Sequence, residues 1–446
     1  MASKTSPTKQ TAPCVEGQDG VCRPRVVKAR SDMTTADAST LKVRFTNILS
    51  GGKRVAPEII DAIFEDALNH RASDIHFEPQ EKEVMVRFRV DGVLQQVGVI
   101  PKENYENILN RLKVLAHLPT DEHFSAQDGS IRYKKEELSI DLRLSIVPVL
   151  DGEKVALRLL HGYIGDLSLD QLGFSQNDQK ILTAASKKPF GMILVTGPTG
   201  SGKTTTLYAL LNILNEPGIN ITSIEDPVEY KIAGANQIQV NLQTNLTFAK
   251  GLRSIVRQDP DIVLVGEIRD RETAEIAVNA ALTGHLLLST FHANDAATSI
   301  PRLLDMGVEP FLLTSTLEII VAQRLVRRLC EKCGQPQTFT KAQMREKYPL
   351  AASYIKENSL KATVAKGCSA CSGTGYQGRV GIFEFLPITR ELQDLILKNP
   401  STKQLWELAR KQGAHSLFED GMDKVAKGVT TIDEVLRVAA PPYLEQ

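Results

Sequence analysis

The sequence has no long apolar run, no net charge and few cysteines. A transmembrane helix needs roughly 18 consecutive apolar residues, and no such run occurs. Residues 1–7 are polar and carry no apolar core of a secretory signal. Lysine and arginine total 53, as do aspartate and glutamate, so the overall charge points to neither nucleic acid nor an anionic membrane as partner. We therefore expect a soluble, cytoplasmic protein.

The few cysteines are arranged in pairs. Only six occur in 446 residues, which speaks against a disulfide-held scaffold. Four of them form two C-x-x-C pairs with 34 residues between the pairs: Cys330 with Cys333, and Cys368 with Cys371. Two such pairs can place four thiolates around Zn²⁺, whereas a redox pair is the alternative for either C-x-x-C alone. Because no thioredoxin-like surround or nearby base accompanies them, we predict a structural zinc site.

The chain divides into three regions. Residues 1–50 are rich in Ser, Thr, Pro, Ala and Gly without hydrophobic periodicity, which predicts a disordered tail. Residues 51–165 predict a small α/β domain. Over residues 166–446 strands alternate with helices around one glycine-rich loop, which predicts a mainly parallel sheet with helices on both faces.

Hydrophobic periodicity predicts the elements of the small domain and of the C-terminal segment. Those elements are a helix over 59–68, a strand over 84–90, a hairpin turn at Asp91 and Gly92, a helix over 103–117, strands around Ile131 and over 138–147, and helices beyond residue 385, the last over 432–438.

The glycine-rich loop is the most specific motif of the chain. It reads G-P-T-G-S-G-K-T over residues 197–204 and fits the pattern G-x-x-x-x-G-K-[ST] at every required position. A buried apolar run over 192–195 precedes it, and a helical pattern from Thr205 follows. In that context backbone N–H groups and the positive end of the helix dipole face bound phosphates. The sequence therefore predicts a nucleoside triphosphate site.

Each loop position has a physical reason. Gly200 and Gly202 allow the backbone to approach the ligand, Lys203 can reach the β- and γ-phosphates, and Thr204 can ligate Mg²⁺. The predicted nucleotide-binding residues are Gly197, Pro198, Thr199, Gly200, Ser201, Gly202, Lys203, Thr204, Thr205, Glu225 and Asp226.

Acidic residues follow two further predicted strands. Glu225, Asp226 and Glu229 lie in E-D-P-V-E after the predicted strand 221–224. Carboxylates at the carboxyl end of a strand beside the phosphate loop can hold Mg²⁺ through water or orient the attacking water. Glu267 ends the buried strand D-I-V-L-V-G-E, as an aspartate more usually does in a Walker B element.

Two histidines flank the next strand. His285 precedes the apolar run L-L-L-S-T-F and His292 follows it. Either histidine could sense the γ-phosphate or face a neighbouring subunit. A lone histidine or a lone acid after a strand is more often structural. Because these segments occur in order behind one phosphate loop, chance is a poor explanation for the set.

Together these segments resemble the motifs of the type II secretion and type IV pilus assembly ATPases, which are hexameric motors of the secretion ATPase superfamily. The matching segments are G-P-T-G-S-G-K-T-T-T, S-I-E-D-P-V-E-Y, R-Q-D-P-D-I-V-L-V-G-E-I-R-D and T-G-H-L-L-L-S-T-F-H-A-N-D. R-A-S-D-I-H-F-E-P, F-R-V-D-G-V-L and G-E-K-V-A-L-R-L-L resemble the smaller N-terminal module of these motors. The resemblance covers about residues 71–438.

The resemblance implies an α/β fold with four parts. These are a RecA-like P-loop ATPase domain, a smaller N-terminal α/β domain of PAS-like type, a zinc-binding insertion over 329–373 and a C-terminal helical segment over 386–440. The four-cysteine module is a feature of the assembly ATPases, and their retraction counterparts generally lack it.

The resemblance also implies roles for individual residues. Lys203 and Thr204 bind phosphate and Mg²⁺, Glu229 polarises the attacking water, and Glu267 completes the Mg²⁺ shell. Whether Glu229 or Glu225 orients the water stays open.

Further implied roles fall on a histidine box and on two arginines of the small domain. His285 and His292 form the box. Arg143 and Arg158 match arginines that reach the γ-phosphate across a domain or subunit boundary, although from the residues alone both are exposed strand residues.

The implied partners are further copies of the chain in a hexamer and an inner-membrane platform protein. Membrane association would then be peripheral, through partners, at the cytoplasmic face, and no direct nucleic-acid contact is expected. Members of this family usually carry one or two further N-terminal domains that dock on the platform, and in this sequence about 50 residues of predicted tail stand in that place. Two alternatives stay open: a superfamily motor for DNA uptake or transfer, and a nucleotide-switched scaffold with little turnover.

Overall fold

The computed structural model describes residues 14–16, 22–24, 57–135, 138–160, 168–352, 354 and 358–441. The tail predicted over 1–50 lies outside the described residues, apart from two short strands, β1 (Cys14–Glu16) and β2 (Cys22–Pro24), which pair antiparallel. The boundary predicted near residue 165 also lies outside them. No helix within the described part of the chain combines the length and the apolar character needed to cross a membrane.

The small domain is built on a six-stranded antiparallel sheet with strand order β5-β4-β3-β8-β7-β6. Its elements are α1 (Pro57–Asn69), β3 (Ala72–Pro79), β4 (Glu83–Val90), β5 (Val93–Pro101), α2 (Lys102–Leu115), β6 (Gln127–Lys135), β7 (Leu138–Val149) and β8 (Gly152–Leu160). The alternation in β4 buries Val84, Val86 and Phe88 against Phe64 of α1 and Ile108 of α2. The turn predicted at Asp91 and Gly92 joins β4 to β5.

The large domain contains the remaining described elements. They are α3 (Leu169–Leu172), α4 (Gln176–Ser186), β9 (Gly191–Thr196), α5 (Lys203–Leu214), β10 (Ile221–Glu225), β11 (Asn236–Gln239), α6 (Phe248–Ile255), β12 (Ile262–Val265), α7 (Arg271–Leu282), β13 (Leu286–Phe291), α8 (Ala296–Asp305), α9 (Pro310–Thr316), β14 (Leu317–Leu329), β15 (Gly334–Thr340), α10 (Lys341–Lys347), α11 (Pro349–Ala352), β16 (Ser359–Ala365), a 3₁₀ helix (Ser369–Cys371), β17 (Tyr376–Pro387), α12 (Arg390–Ile396), α13 (Thr402–Lys411), α14 (Leu417–Ala426) and α15 (Ile432–Val438).

A seven-stranded sheet with strand order β11-β10-β12-β13-β9-β14-β17 forms the centre of this domain. All neighbours are parallel except β14 and β17, which run antiparallel. Both faces of the sheet are covered: Ile193 of β9 packs in one apolar cluster with Leu210 of α5, and the adjacent Leu194 packs in another with Val278 of α7. The predicted parallel sheet with helices on both faces is confirmed.

Strands β14 and β17 form a long arm that extends past the rest of the sheet. Ala322 of β14 is level with Thr196, the last residue of β9, so residues 323–329 continue beyond the phosphate-loop strand. The cysteine-containing insertion lies between the two strands, with β15 and β16 paired antiparallel inside it. The predicted C-terminal helical segment is confirmed, and α15 covers the predicted 432–438, but the periodicity had not indicated that residues 376–387 form a sheet strand.

Candidate nucleotide cleft and cysteine cluster

A cleft of about 830 Å³ opens at the carboxyl ends of the parallel strands, where the loops of a parallel sheet collect functional side chains. The predicted site residues that line it are Pro198, Thr199, Gly200, Ser201, Gly202, Lys203, Thr204, Thr205, Glu225, Asp226, Glu229, Glu267, His292, Arg143 and Arg158. Segments more than a hundred residues apart therefore meet at one site.

The phosphate loop has the backbone that its glycines allow. Gly197 follows β9 with φ of 151°, and a side chain there would lie 2.5 Å from the carbonyl oxygen of Gln323. Gly200 has φ of 77° in open space. The buried Ser201 hydroxyl has no hydrogen-bond partner among the described residues. A glycine backbone and an orphaned buried hydroxyl at the start of α5 are the features expected of a phosphate cradle.

Lys203 is the first residue of α5 and is buried in the cleft wall. Its Nζ donates to the carbonyl oxygens of Gly197 at 2.9 Å and Pro198 at 3.1 Å. Burial lowers the pKa of this ammonium to about 8, Glu267 opposes the shift, and Arg324 adds to it. A desolvated ammonium gains more than an exposed one when an anion binds beside it, so the environment favours a phosphate ligand.

The two glutamates of the acidic segment have different environments. Glu225 is buried, and its carboxylate accepts hydrogen bonds from Tyr208, from Ser223 at 2.6 Å and from Gln237 at 3.3 Å. Burial raises its pKa in spite of these donors. Glu229 lines the cleft and is half-buried, and its side-chain carboxylate makes no hydrogen bond or ion pair with the described residues. Its carboxylate is therefore available to a water or a ligand, whereas that of Glu225 is already engaged.

Glu267 lies at the centre of a small ionic cluster beside the phosphate loop. Its two carboxylate oxygens contact Nη2 of Arg269 at 2.5 Å and Nε2 of His292 at 3.1 Å. Arg269 also approaches the exposed Asp226 at 3.8 Å. The adjacent Asp270 points away from this cluster and caps α7, accepting from the backbone of Thr273 at 2.8 Å. His292 and Glu267 are thus held together at the carboxyl ends of β13 and β12.

The structure places His292 in the lining of the cleft but not His285, for which the sequence had left open either contact with the γ-phosphate or contact with a neighbouring subunit. His285 precedes β13, and because the strands are parallel, their amino ends lie at the edge of the sheet opposite the phosphate loop. Its Nδ1 lies 2.9 Å from the carbonyl oxygen of Ala280 at the end of α7. His285 therefore lies away from the cleft of its own subunit, and its part in the histidine box stays a prediction.

The small domain supplies charged side chains to the same cleft. Arg143 and Arg158 lie in register on β7 and β8. Arg158 Nε donates to Asp74 at 3.1 Å, and Arg89 Nε lies 3.4 Å from the other oxygen of that carboxylate. The Gly378 N–H of β17 donates to Asp91 at 2.9 Å, which connects the two domains next to the cleft.

Sequence reasoning missed several cleft residues. Asp74 and Arg269 stand inside the segments R-A-S-D-I-H-F-E-P and G-E-I-R-D, so their motifs could have indicated them. Arg324, Arg379 and Arg437 also line the cleft, but no local pattern connects them with the phosphate loop. Nη1 of Arg324 is buried and has no hydrogen-bond partner among the described residues.

The four predicted cysteines come together in the insertion. Their sulfur atoms all lie within 4.8 Å of one another, with Cys330 to Cys368 at 3.9 Å and Cys333 to Cys371 at 3.7 Å. A tetrahedral Zn²⁺ with Zn–S bonds of about 2.3 Å needs sulfur–sulfur edges of about 3.8 Å. The backbone N–H of Gly375 donates to the Cys371 sulfur at 3.1 Å, as expected for a thiolate ligand. Chemistry and spacing are consistent with a structural zinc site.

Comparison with known proteins places this architecture in one family. The family described as Type II/IV secretion system protein matches residues 50–437. Type II secretion system protein E of Pseudomonas aeruginosa is 48% identical over 382 residues, covering 85% of this chain and 74% of that protein. The type IV pilus assembly ATPase PilB of Myxococcus xanthus is 45% identical over 388 residues, covering 86% of this chain and 68% of that protein.

A solved structure supports the fold. The ATPase DotB of Legionella pneumophila superposes with a TM-score of 0.63 at 21% identity, covering 86% of this chain and 96% of that chain. At this identity the likeness concerns the fold alone.

Proposed function

Since the chain belongs to the type II/IV secretion system protein family and is an ATPase of that family, we propose that it is a ring-forming motor that converts ATP hydrolysis into movement of a membrane platform for type II secretion or type IV pilus assembly. The observation that carries this proposal is the convergence of Lys203, Glu229 and Glu267 of the large domain with Arg143 and Arg158 of the small domain on one cleft.

Nucleotide binding follows from the phosphate loop. The backbone of residues 197–202, Lys203 and the residues that follow cradle the phosphates. Thr204 and Glu267 would hold Mg²⁺, which neutralises phosphate charge and orients the phosphates when it is bound. Glu225 and Asp226 border this side of the site, with Glu225 acting through Tyr208 and Gln237, which its carboxylate holds in place.

Glu229 is the group that we assign to water activation. A residue that orients or deprotonates the attacking water needs a carboxylate that other side chains do not occupy. Glu229 meets this condition and the buried, triply hydrogen-bonded Glu225 does not. His292, held on Glu267 at 3.1 Å, lies where it can report the state of the terminal phosphate.

Arg143 and Arg158 are the groups that we assign to charge neutralisation. A guanidinium that approaches the transferred phosphoryl group is worth roughly 10³ to 10⁵ in rate in well-studied cases. Both arginines stand on the small domain and line the cleft beside its other charged groups. A rotation of the small domain against the large one would move both arginines relative to the phosphates, which couples the chemistry to a mechanical step.

The assembly and its surroundings are part of the proposal. A homo-hexamer would present the cleft of each subunit to its neighbour, and His285, outside the cleft, would be available to such a contact. The partner would be a platform protein at the cytoplasmic face of the inner membrane, so that association with the membrane is peripheral and no nucleic acid is contacted. The cysteine cluster would hold one structural Zn²⁺ per subunit.

The test is ATP turnover by the zinc-loaded protein over a concentration series, with the mass in solution recorded at each point. Turnover per subunit that rises with ring formation, and falls in Arg158→Ala rings of the same mass, would support the motor. Glu229→Gln should bind ATP without turning it over.

Either of two outcomes would contradict the proposal. One is turnover by the monomer that does not change on ring formation. The other is a Glu229→Gln protein that supports secretion or piliation in cells, which would favour a nucleotide-switched scaffold. Turnover that rises only with added DNA would favour the DNA-handling alternative.

A further inference from the structure

Arg437 is a cleft residue that neither its sequence position nor any motif connects with the nucleotide. It belongs to α15, the last described helix, and lines the cleft together with its neighbour Val438 and with Leu325 of the long arm. Its side chain is 42% exposed, so it is open to a ligand in spite of the ion pair it makes.

A buried carboxylate fixes the direction of this arginine. Glu434 is 2% exposed, and Arg437 donates to both of its oxygens, from Nε at 3.0 Å and from Nη2 at 2.8 Å. Arg327 of β14 donates to the same carboxylate from its backbone N–H at 3.0 Å and from Nη2 at 2.6 Å. We call Arg327, Glu434 and Arg437 the Glu434 cluster. Two-point pairing of this kind holds a guanidinium in one plane and leaves its three remaining N–H donors to a ligand.

The position of the Glu434 cluster in the sheet indicates which end of a bound nucleotide would lie beside it. Along the sheet the order is β12, β13, β9 and β14, so Glu267 and the phosphate loop lie on one side and the cluster on the other. The continuation of β14 covers the start of α5: Gln323 accepts from the Thr206 hydroxyl at 2.7 Å, and Leu325 lies 3.6 Å from where a Gly202 side chain would begin. A triphosphate with its γ-phosphate toward Glu267 therefore has its ribose and base toward β14.

We propose that Arg437, positioned by Glu434, contacts the ribose and base end of the bound nucleotide, with Leu325 and Val438 as the apolar surface beside it. The proposal rests on the nucleotide site of the proposed function. Arg437 would then distinguish a nucleotide from a bare polyphosphate. The phosphate loop cannot make this distinction by itself, because its donors contact only phosphate oxygens. Glu434 is a positioning residue, since it acts through Arg437 and Arg327.

Three ligands distinguish a contact with the nucleoside from a contact with the phosphates: ATP, ADP and inorganic tripolyphosphate. The Kd of each is measured by calorimetric titration with Mg²⁺ present. For Arg437→Ala we expect the Kd of ATP and of ADP to rise by the same factor, about tenfold, because one charge-assisted hydrogen bond is lost. The Kd of tripolyphosphate should stay unchanged. Glu434→Gln keeps one acceptor oxygen, places an N–H₂ group against the arginine donors of the other, and loses the charge. It loosens Arg437 without removing it, and should weaken ATP and ADP by a smaller, equal factor.

The matched control is Arg410→Ala. Arg410 pairs with Glu419 in the same two-donor way, at 2.5 and 2.8 Å, and does not belong to the cleft lining. Its substitution should leave all three affinities unchanged. Equal melting temperatures of Arg437→Ala and Arg410→Ala would exclude a fold defect as the cause of weaker binding.

Several results would overturn the inference. Weaker binding of ATP alone, or of tripolyphosphate as well, would mean that Arg437 contacts phosphate. Unchanged ATP and ADP affinities in Arg437→Ala would mean that it contacts no ligand, and unchanged affinities in Glu434→Gln would remove the positioning role. Failure of the wild-type protein to bind ATP would contradict the nucleotide site itself, and the wild-type titration shows this independently of the variants.

Discussion

The carboxylate of Asp74 joins Arg158 and Arg89 on the face that the small domain turns toward the phosphate loop. Asp74 and Arg158 stand opposite each other in the β3–β8 pair, and Arg158 Nε donates to Asp74 Oδ1 at 3.1 Å. Arg158 stays more than half exposed at the rim of the cleft. This pairing orients the guanidinium without removing it from solvent, as a group that must meet a negatively charged ligand requires.

The first prediction concerns this pair. Arg158→Ala should lower kcat for ATP by about 10³-fold, because the developing phosphoryl charge loses its guanidinium. Asp74→Asn keeps the size of the side chain but loosens the arginine, and should lower kcat by roughly tenfold with little change in KM. Steady-state turnover of purified rings measures both. The exposed pair of Arg132 and Asp141 at 2.9 Å provides the control, and Arg132→Ala should not change kcat. An Asp74→Asn protein with normal kcat would contradict the orienting role.

The second prediction separates the two glutamates of the acidic segment. Glu229→Gln should lower kcat by roughly 10² to 10⁴ with ATP binding retained, because the group that activates water is removed. Glu225→Gln should act mainly on stability, because an amide N–H₂ would face the donors Tyr208, Ser223 and Gln237 in a buried site.

Turnover and thermal unfolding of the two variants form the comparison. A Glu225→Gln protein with a normal melting temperature and no turnover would reverse the assignment of the water-activating residue.

The third prediction connects the cysteine cluster with nucleotide affinity. The backbone of Gly375 makes two hydrogen bonds to cysteines of the cluster: its N–H donates to the Cys371 sulfur, and its carbonyl oxygen accepts from the Cys330 N–H at 2.9 Å. The next residue, Tyr376, places its ring 4.0 Å from the Arg327 guanidinium and shares a hydrogen bond of 2.8 Å with Thr431, which caps α15. Loss of metal should therefore loosen the Glu434 cluster.

Removal of zinc with a chelator, or the substitution Cys333→Ser, should lower the melting temperature by several degrees and raise the Kd of ADP several-fold. Zinc content, circular dichroism melting and ADP titration measure the three quantities together. Cys14→Ser, which changes a cysteine outside the cluster, is the control. A metal-free protein that keeps its secondary structure and binds ADP normally would contradict the connection.

The fourth prediction is a pH dependence of stability from Glu384. This carboxyl group is buried in β17 and accepts from the Ala296 N–H at the start of α8 at 2.8 Å. Burial raises its pKa from 4.5 to about 7 in spite of that hydrogen bond. Between these pH values the folded chain holds a proton that the unfolded chain has lost, so the free energy of unfolding falls as pH rises from about 4.5 to about 7.

Glu384→Gln should abolish this fall, since glutamine keeps the acceptor oxygen and cannot ionise. At pH 8 the variant should be more stable than the wild type by roughly 3 kcal/mol, and at pH 4 the two should be nearly equal. Urea unfolding at several pH values measures the difference, with the exposed Glu106→Gln as control. A stability difference that does not change between pH 4 and pH 8 would show that the carboxyl group is ionised in the folded chain.

The sequence by itself determined the local parts of this protein. The strand, glycine turn and helix of residues 192–210 are one continuous stretch, and positive φ with close backbone approach requires glycine at positions 197, 200 and 202 of its turn. The strand around Phe88 and the helix over 432–438 were also predicted from the sequence, because periods of 2 and 3.6 residues indicate which side chains lie on a buried face. The two C-x-x-C pairs, Cys330 with Cys333 and Cys368 with Cys371, predicted the cluster for a different reason: each pair can offer two thiolates to one metal ion.

Only the tertiary structure decided which of these parts meet. The common direction of the parallel strands separates His285 from His292 by the length of β13, although both flank one motif. Asp74 reaches Arg158 across 84 residues, and Arg327 reaches Glu434 across 107. Pairings of this kind arise from the register of strands and from the packing of a distant helix on an extended arm. Local periodicity carries no information about them, because it specifies which face of an element is buried and not what covers that face.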